Sequence, residues 1–301
     1  MRAMDLVLTL IARPSSSALT EAVVTAARAI AESAGAHAGI TDWLDPGTAC
    51  DVPISGITAE AAEAAVRQQL SSAPIDVAVQ PSEGRRRMLL VADMESTIIG
   101  QELVDELAEI AGVGQRVAAI TVRSMAGELD FAGSLRERVA LLAGQPETIL
   151  DQAAGRITLN PGARTLVATM RAHGATTALV SGGFTRFAEP VRDLCGFDEV
   201  RANRLMVADG RLTGAVVEPI LDRAGKATAL AELAARLGQS PGQACAVGDG
   251  ANDLEMLRAA GLGVAYRAKP IVRAAARFRI EHGDLTALLY LQGYRRAEFS
   301  G

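Results

Sequence analysis

The first 80 residues alternate between strand-like and helix-like patterns of hydrophobic positions. Apolar and polar residues alternate over 5–11, as in a strand that is buried on one face. Apolar residues then recur at steps of three and four over 17–34, which predicts an amphipathic helix. The same reasoning predicts two strands, a helix capped by Thr58 and a last strand, over 37–44, 50–54, 58–70 and 75–79. This order is typical of a small α+β sandwich with its helices on one face.

From residue 88 onward, short and almost purely apolar runs replace the alternation. They predict strands that are buried on both faces, over 88–92, 176–180, 244–247 and 262–265. Helical patterns separate these strands, notably over 162–173, 226–237 and 253–260. The alternation implies a doubly wound α/β domain, in which a parallel sheet carries helices on both faces. A hairpin is predicted over 203–219, around the turn Asp209-Gly210.

The segment 81–87 lies between the two patterns and is polar, with three consecutive arginines at 85–87. We predict a linker here, which divides the chain into a domain over 1–82 and a second over 83–301. The arginines are interpreted as a solvated approach to the next strand rather than as a basic patch.

Composition narrows the class of protein further. Of the 301 residues, 49% are hydrophobic and 22% charged, which indicates a globular chain rather than a disordered one. The net charge of −5 argues against nucleic acid or an anionic membrane as the main partner. No apolar run approaches the roughly 20 residues of a spanning helix, and we expect no signal peptide. Cysteines 50, 195 and 245 form no CxxC pair, which favours a reducing compartment and hence the cytoplasm.

Polar residues follow three of the predicted buried strands at their carboxyl ends. Asp93 and Glu95 follow the first, Ser181 the second and Asp249 the third. Ligands of open parallel sheets bind beyond the carboxyl ends of the strands. We therefore expect these side chains to share one pocket.

The carboxylates of this set allow two interpretations. Asp93 and Glu95 are two residues apart, so one can act as a nucleophile or metal ligand and the other as a general acid–base. Asp249 and Asp253 are four apart and offer the oxygen ligands that Mg²⁺ prefers. The alternative in both cases is a capped turn between a strand and a helix.

A hydroxyl and two glycines at 181–183 indicate a phosphate cradle, because their N–H groups are unhindered. Ser181 does not belong to a nucleophile elbow, since Leu179 stands where that motif needs glycine. Lys226 can supply a fixed positive charge, although a single lysine is more often a solvated surface residue. The sequence contains neither a P-loop nor a dinucleotide fingerprint.

The segments DMEST, SGG, Lys226 and GDGAND, in this order, are similar to the four signature motifs of the haloacid dehalogenase-like phosphohydrolases. The segments GQELVDELA, DFAGSLRERV, ANRLMVADGRLTG and GDGANDLEML resemble the phosphoserine phosphatase family within that superfamily. This resemblance covers residues 88 to about 268 and implies a small helical cap inserted at about 103–158. Residues 1–82 resemble the ACT-like (ferredoxin-like) accessory domains of many such enzymes.

The resemblance implies an Mg²⁺-dependent enzyme that acts through an aspartyl-phosphate. Asp93 would be the nucleophile. The metal would be held by Asp93, the backbone carbonyl of Glu95 and Asp249, with Asp253 in support. The phosphoryl oxygens would be bound by Ser181, by Lys226 and by the N–H of Gly182.

The resemblance also assigns residues to a phosphoserine substrate. Glu102 would face the ammonium group, and Arg138 would bind the carboxylate with its guanidinium fork. Asn252 would help to position the substrate. Met125 and Phe131 match apolar positions of the cap.

Glu95 departs from the family pattern, which usually has aspartate at the second carboxylate. Its extra methylene would move the acid–base oxygens, and about 1 Å of displacement can cost a factor of 10² in rate. We expect a compensating rotamer to keep Glu95 in this role.

Two other functions remain open from the sequence. The substrate can be another small phosphorylated amino acid, such as phosphothreonine or phosphohomoserine. Alternatively, the chain is an amino-acid-sensing module with a weakened phosphatase. A homodimer that pairs the sheets of two N-terminal domains is retained as a candidate assembly.

Overall fold

The computed structural model describes residues 5–301, apart from the side chain of Met125. The N-terminal part consists of strands and two helices in the order β1 Leu6–Ala12, α1 Glu21–Ser33, β2 His37–Ala38, β3 Asp42–Asp45, β4 Ala49–Ser55, α2 Ala59–Gln69 and β5 Ile75–Pro81. The strands form an antiparallel sheet in the order β2-β4-β1-β5, with β3 also paired to β4.

Both helices of this part are fixed by threonine caps and by buried apolar stripes. The hydroxyl of Thr58 accepts from the N–H of Ala61, as predicted, and Thr20 caps α1 in the same way. The predicted strand over 37–44 is wrong, because the structure has two short strands there. The pattern misled because Ile40, between them, is 88% exposed. An antiparallel sheet with two helices is compatible with an ACT-like domain, which stays a prediction.

The second part begins after residues 82–88. Its elements are β6 Leu89–Ala92, α3 Leu103–Ile110, α4 Gly114–Met125, α5 Phe131–Ala140, α6 Thr148–Ala154, α7 Ala163–Ala172, β7 Thr176–Phe184, α8 Thr185–Cys195, β8 Glu199–Asn203, β9 Leu205–Ala208, β10 Arg211–Val216, α9 Arg223–Arg236, β11 Cys245–Gly248, α10 Leu254–Ala259, β12 Leu262–Tyr266, α11 Pro270–Ala275, β13 Phe278–Ile280 and α12 Ala287–Leu291. The division of the chain into domains over 1–82 and 83–301 stays a prediction.

The main sheet is parallel and is buried on both faces, as the apolar runs predict. Its order is β13-β12-β11-β6-β7-β8. Along β6, Leu90 and Ala92 belong to one hydrophobic cluster, whereas Leu89 and Val91 belong to another. Because successive side chains of a strand point to opposite faces, these two clusters are the two sides of the sheet. The doubly wound α/β fold is thereby confirmed.

The edge strands β8 and β13 were not predicted from the sequence. The first carries Glu199 and Arg201, and the second has only three residues. Edge strands need no continuous apolar run, since one side faces other elements or solvent. The predicted hairpin is present as β9 and β10.

The N-terminal sheet packs its second face against the C-terminal end of the chain. Ile11 and Ala49 of the sheet belong to the same hydrophobic cluster as Tyr290 of α12. The Tyr290 hydroxyl donates to Oδ2 of Asp45 at 2.7 Å. The carboxylate of Asp76 accepts from the backbone N–H of Gly283 at 2.7 Å. Helices on one face and α12 on the other therefore cover this sheet on both sides.

Helices α3 to α6 lie in the chain between β6 and α7, where the cap is predicted. They pack on one another, and α5 also packs on the hairpin strand β10. Their assignment as a separate cap over about 103–158 stays a prediction. Within residues 5–301, none of the helices is long and apolar enough to cross a membrane.

Candidate active site

Three adjacent strands of the main sheet place Asp249, Asp93 and Ser181 at the same end. Strand β6 lies between β11 and β7, and all three run in the same direction. The backbone N–H of Asp93 donates to the carbonyl of Val247, at the end of β11. The expectation that the strand ends converge is therefore confirmed.

Lys226 is buried between two carboxylates of this site. Its Nζ lies 2.6 Å from Oδ1 of Asp93 and 2.6 Å from Oδ1 of Asp253. The side chain has no exposed surface, although it belongs to α9 on the neighbouring helix layer. Burial acts to lower the pKa of Lys226, but Asp253 and Asp93 outweigh it and raise the pKa. The interpretation of Lys226 as a solvated lysine is thus wrong.

Carboxylate oxygens of Asp93, Asp249 and Asp253 lie within 4.8 Å of one another, and all three residues are buried. Burial and the charge of Asp253 raise the pKa of Asp93, while Lys226 opposes them. Burial likewise raises the pKa of Asp249 to about 6. The buried Lys226 ammonium pairs with two of these carboxylates, and the half-exposed Lys269 lies 3.7 Å from the third, so surplus negative charge remains in a buried place. Oxygen ligands with surplus negative charge fit a hard divalent cation, so this cluster can hold a metal ion.

Glu95 reaches towards the first helix after β6. Its Oε1 accepts from the backbone N–H of Leu103, the first residue of α3, at 2.7 Å. A Cβ on Gly183 would lie only 2.7 Å from Oε2 of Glu95, so the missing side chain of Gly183 makes room for the longer acid. Burial, reinforced by the charge of Glu102, raises the pKa of Glu95 to about 7. A carboxyl group that titrates near neutrality is suited to general acid–base work.

The segment 181–183 belongs to β7, which continues to Phe184 rather than ending at 180 as predicted. Its pairing with β8 is irregular between Ser181 and Phe184. The hydroxyl of Ser181 accepts from the N–H of Gly183 at 2.9 Å, and the carbonyl of Gly182 accepts from Asn203 at 2.8 Å. A Cβ on Gly182 would lie 2.6 Å from the Phe131 ring, so glycine lets α5 approach this strand end.

A cavity of about 540 Å³ opens above this cluster, between the strand ends and helices α3 to α5. Asp93, Glu95 and Asp249 contribute to its floor. Its walls include Glu102, Phe131, Arg138, Asn252 and Lys269. A cavity of this size with a few polar groups is typical of small-molecule sites.

Glu102 and Arg138 have defined contacts in this wall. Oε1 of Glu102 accepts from the hydroxyl of Ser96 at 2.9 Å and lies 3.6 Å from Nζ of Lys269. Glu102 lies immediately before α3, in extended geometry. Nε of Arg138 donates to the carbonyl of Ser134, one turn earlier in α5, at 3.3 Å. Arg138 makes this contact while it lines the cavity.

Comparison with known proteins assigns the chain to a family. The sequence profile of the haloacid dehalogenase-like hydrolases matches residues 90–258. The chain is 41% identical to a phosphoserine phosphatase of Mycobacterium tuberculosis over 288 residues, which are 95% of this chain and 70% of that relative.

The chain belongs to the haloacid dehalogenase-like hydrolases, and within them to the phosphoserine phosphatase family.

Two further comparisons extend this result. The chain is 44% identical to a phosphoserine phosphatase of Streptomyces coelicolor over 255 residues, 84% of this chain, but spans only 62% of that relative's length. A crystal structure of a probable phosphoserine phosphatase from Vibrio cholerae has a TM-score of 0.77 and 33% identity, and the likeness covers 98% of this chain and 88% of that one. This similarity in structure therefore includes the N-terminal part as well as the hydrolase part.

The predicted site residues fall into three groups. The structure brings together those of the acidic cluster and cradle, namely Asp93, Glu95, Ser181, Gly182, Lys226, Asp249 and Asp253. It places Glu102, Phe131, Arg138 and Asn252 on the cavity wall. The side chain of Met125 lies outside the described part of the chain. The roles given to all these residues stay predictions.

Three residues of the site were missed. Asn160 donates to the carbonyls of Thr97 and Ile99 and so holds the loop after Asp93. Asn203 ties Gly182 to Leu221. No sequence signal marks these asparagines, because their partners are distant backbone groups. Lys269 was missed although a signal exists, since only residues 226 and 269 are lysine among the 30 basic residues of the chain.

Proposed function

We propose that the protein is an Mg²⁺-dependent phosphatase that hydrolyses O-phospho-L-serine to L-serine and phosphate, the last step of L-serine biosynthesis. The observation that carries this proposal is the pairing of Asp93 with buried Lys226 at the floor of a cavity whose wall carries Glu102 and Arg138. Relatives named phosphoserine phosphatases support it. The nucleophile and the buried cation suit a phosphate group. The acidic and the basic side chain on the wall suit the ammonium and the carboxylate of an amino acid.

Asp93 is positioned for attack on the phosphorus. Its Oδ1 is engaged by the N–H of Met94 and by Lys226. Within the described residues no donor hydrogen-bonds Oδ2, so we assign the attack to Oδ2. The product of this step is an aspartyl-phosphate, and the serine oxygen leaves.

The phosphoryl oxygens would be held by Lys226, the Ser181 hydroxyl and the N–H of Gly182. Asp93, Asp249 and the backbone carbonyl of Glu95 would hold Mg²⁺, with Asp253 in support. When bound, the metal neutralises charge on the phosphoryl group. The Lys226 ammonium also donates to Asp253, and this buried hydrogen bond holds it in position.

Glu95 would protonate the leaving serine oxygen and then accept a proton from the attacking water. Its carboxyl group is held by Leu103 N–H through Oε1, which leaves Oε2 for proton transfer. Glu102 would bind the ammonium group of the substrate, and Arg138 its carboxylate. The contact with Ser134 uses Nε of Arg138, and within residues 5–301 no acceptor hydrogen-bonds its two Nη groups, which would bind the substrate carboxylate.

The N-terminal part is proposed as an ACT-like accessory domain. The antiparallel sheet with two helices on one face supports this proposal. A homodimer and a cytoplasmic location are retained as proposals from the sequence.

A panel of phosphomonoesters, assayed with Mg²⁺ and with a chelator, tests the proposed reaction. We expect phosphoserine to be hydrolysed fastest and all turnover to stop without a divalent cation. Faster hydrolysis of phosphothreonine or phosphohomoserine would assign a different amino acid. Tight binding of serine without any turnover of phosphoserine would contradict the proposal and favour an amino-acid sensor.

Glu95→Gln is expected to lower kcat by about 10²- to 10⁴-fold, because glutamine cannot donate or accept the proton in transfer. Glu95→Asp keeps the acid but shortens it by one methylene, so we expect an intermediate loss. Steady-state kinetics on phosphoserine measures both variants. A glutamine variant with unimpaired turnover would remove Glu95 from the acid–base role.

A further inference from the structure

The chain uses arginine almost everywhere that a cation is needed, with two exceptions. Of its 30 basic residues only Lys226 and Lys269 are lysine, and both belong to the same site. Lys226 is explained by its surroundings, since it fits without exposed surface between two carboxylates. The planar guanidinium is much larger than an ammonium and would not fit there.

Burial does not explain the second lysine. The side chain of Lys269 is 57% exposed, as much as those of Arg136 and Arg236 elsewhere on the surface. Burial therefore gives no reason for lysine rather than arginine at this position, and we look for one in what the cation contacts. Its Nζ lies 3.6 Å from Oε1 of Glu102 and 3.7 Å from Oδ2 of Asp249.

The two oxygens of Glu102 have different surroundings. Oε1 accepts from the Ser96 hydroxyl and also faces Lys269. In the described part of the chain no donor hydrogen-bonds Oε2. Because the carboxylate lies on the cavity wall, its second oxygen is available to a ligand.

The backbone on both sides of Lys269 is fixed, which sets how far its ammonium reaches. The N–H of Lys269 donates to the carbonyl of Asp249 at 3.1 Å. Two residues earlier, Arg267 donates from its backbone to Ile280 and from Nη2 to Gly283. Helix α11 begins immediately after Lys269, at Pro270. The ammonium therefore reaches Glu102 from a constrained backbone.

Arginine at this position would act on Glu102 differently. A guanidinium binds a carboxylate through two parallel N–H···O bonds, whereas an ammonium is a compact point charge that can contact one oxygen. A bidentate arginine would occupy Oε2 as well as Oε1. The substrate's ammonium would then have to compete with the guanidinium for both oxygens of Glu102.

We propose that Lys269 is a specificity-determining positioning residue, which together with Ser96 engages only Oε1 of Glu102 and so leaves Oε2 for the ammonium group of the substrate. This inference rests on the proposed function, because it assumes that Glu102 binds an amino group. It gives a physical reason for a lysine at this exposed position of an arginine-rich chain.

The test compares Lys269→Arg with the wild type on two substrates, phosphoserine and the phosphate monoester of 3-hydroxypropionate, which differs from phosphoserine only in lacking the amino group. For phosphoserine, we expect KM to rise about tenfold or more while kcat changes less than about threefold. For the analogue, KM should stay within about twofold. Ser96→Ala and Ser96→Gly should also raise KM for phosphoserine only, since each removes the hydroxyl that holds Oε1.

The serine variants separate the hydroxyl from the backbone. Ser96 has a left-handed φ of 54°, which glycine adopts without strain. If Ser96 matters only through its backbone conformation, Ser96→Gly should leave the KM for phosphoserine unchanged. That result would overturn the role assigned to the hydroxyl. The matched control is Arg273→Lys, the reverse exchange one turn along α11. It should leave the KM for both substrates unchanged.

Other outcomes would overturn the inference. An equal rise of KM for both substrates would indicate a general effect of charge in the cavity. If Lys269→Arg instead changed the concentration of Mg²⁺ needed for activity, Lys269 would act through Asp249 and not through Glu102. In a Glu102→Gln background, Lys269→Arg should have no further effect on KM, and an additive effect would contradict the mechanism. A wild type that does not hydrolyse phosphoserine would refute the proposed function itself.

Discussion

Asp93→Asn is expected to lower kcat on phosphoserine by on the order of 10⁴-fold or more, while the fold is retained. The asparagine amide cannot form the aspartyl-phosphate. Catalytic residues that act together lose most of their combined rate enhancement when the nucleophile is removed. Stability should not fall with activity, because two buried carboxylates, Asp93 and Asp253, share the single buried ammonium of Lys226. Removing one negative charge relieves repulsion, and Lys226 keeps its contact with Asp253.

Single-turnover kinetics and thermal unfolding in metal-free buffer measure these two effects. We expect the melting temperature of Asp93→Asn to equal or exceed that of the wild type. The matched control is Asp209→Asn, the same change at an exposed turn, which should affect neither property. Substantial turnover by Asp93→Asn would show that the activity belongs to another site or to a contaminant.

Lys226→Met is expected to remove both activity and stability. The substitution leaves Asp93 and Asp253 buried without the ammonium that contacts each at 2.6 Å. Breaking a buried pair from one side costs about 3–5 kcal/mol. For a chain of this size the melting temperature should fall by roughly 10 °C. Calorimetry or thermal unfolding followed by circular dichroism measures the loss.

A divalent cation distinguishes the electrostatic cause from a loss of packing. Mg²⁺ should raise the melting temperature of Lys226→Met more than that of the wild type, because Asp93 and Asp253 lose the ammonium that they share. Lys269→Met makes the same exchange at a half-exposed position and should change stability by less than about 1 kcal/mol. Equal destabilisation by the two substitutions would refute the assignment of a buried charge pair.

The elements buried on both faces could be predicted because their apolar runs are unbroken. Strands β6, β7, β11 and β12 all follow from this pattern, as does the hairpin around Asp209-Gly210. The edge strands β8 and β13 could not, since tertiary neighbours rather than an apolar run specify them. The predicted strand over 37–44 failed for a related reason, because an apolar residue such as Ile40 can be exposed.

The site divides in the same way. Asp93, Ser181 and Asp249 were predicted together because parallel strands bring their carboxyl ends to one edge. Asn160 and Asn203 hold the surrounding loops through backbone groups far away in sequence, so no local pattern marks them. The packing of the N-terminal sheet against α12 likewise depends on contacts between the two ends of the chain.

By itself, the sequence determined which segments are buried and which reactive side chains follow them, because periodicity and motif order are local properties. Only the tertiary structure decided that Lys226 is buried between Asp93 and Asp253, and that Lys269 faces one oxygen of Glu102. Both lysines lie far in sequence from the carboxylates that precede the cap. Their charge has its effect through distance and burial, which exist only once the sheet and its helices have packed.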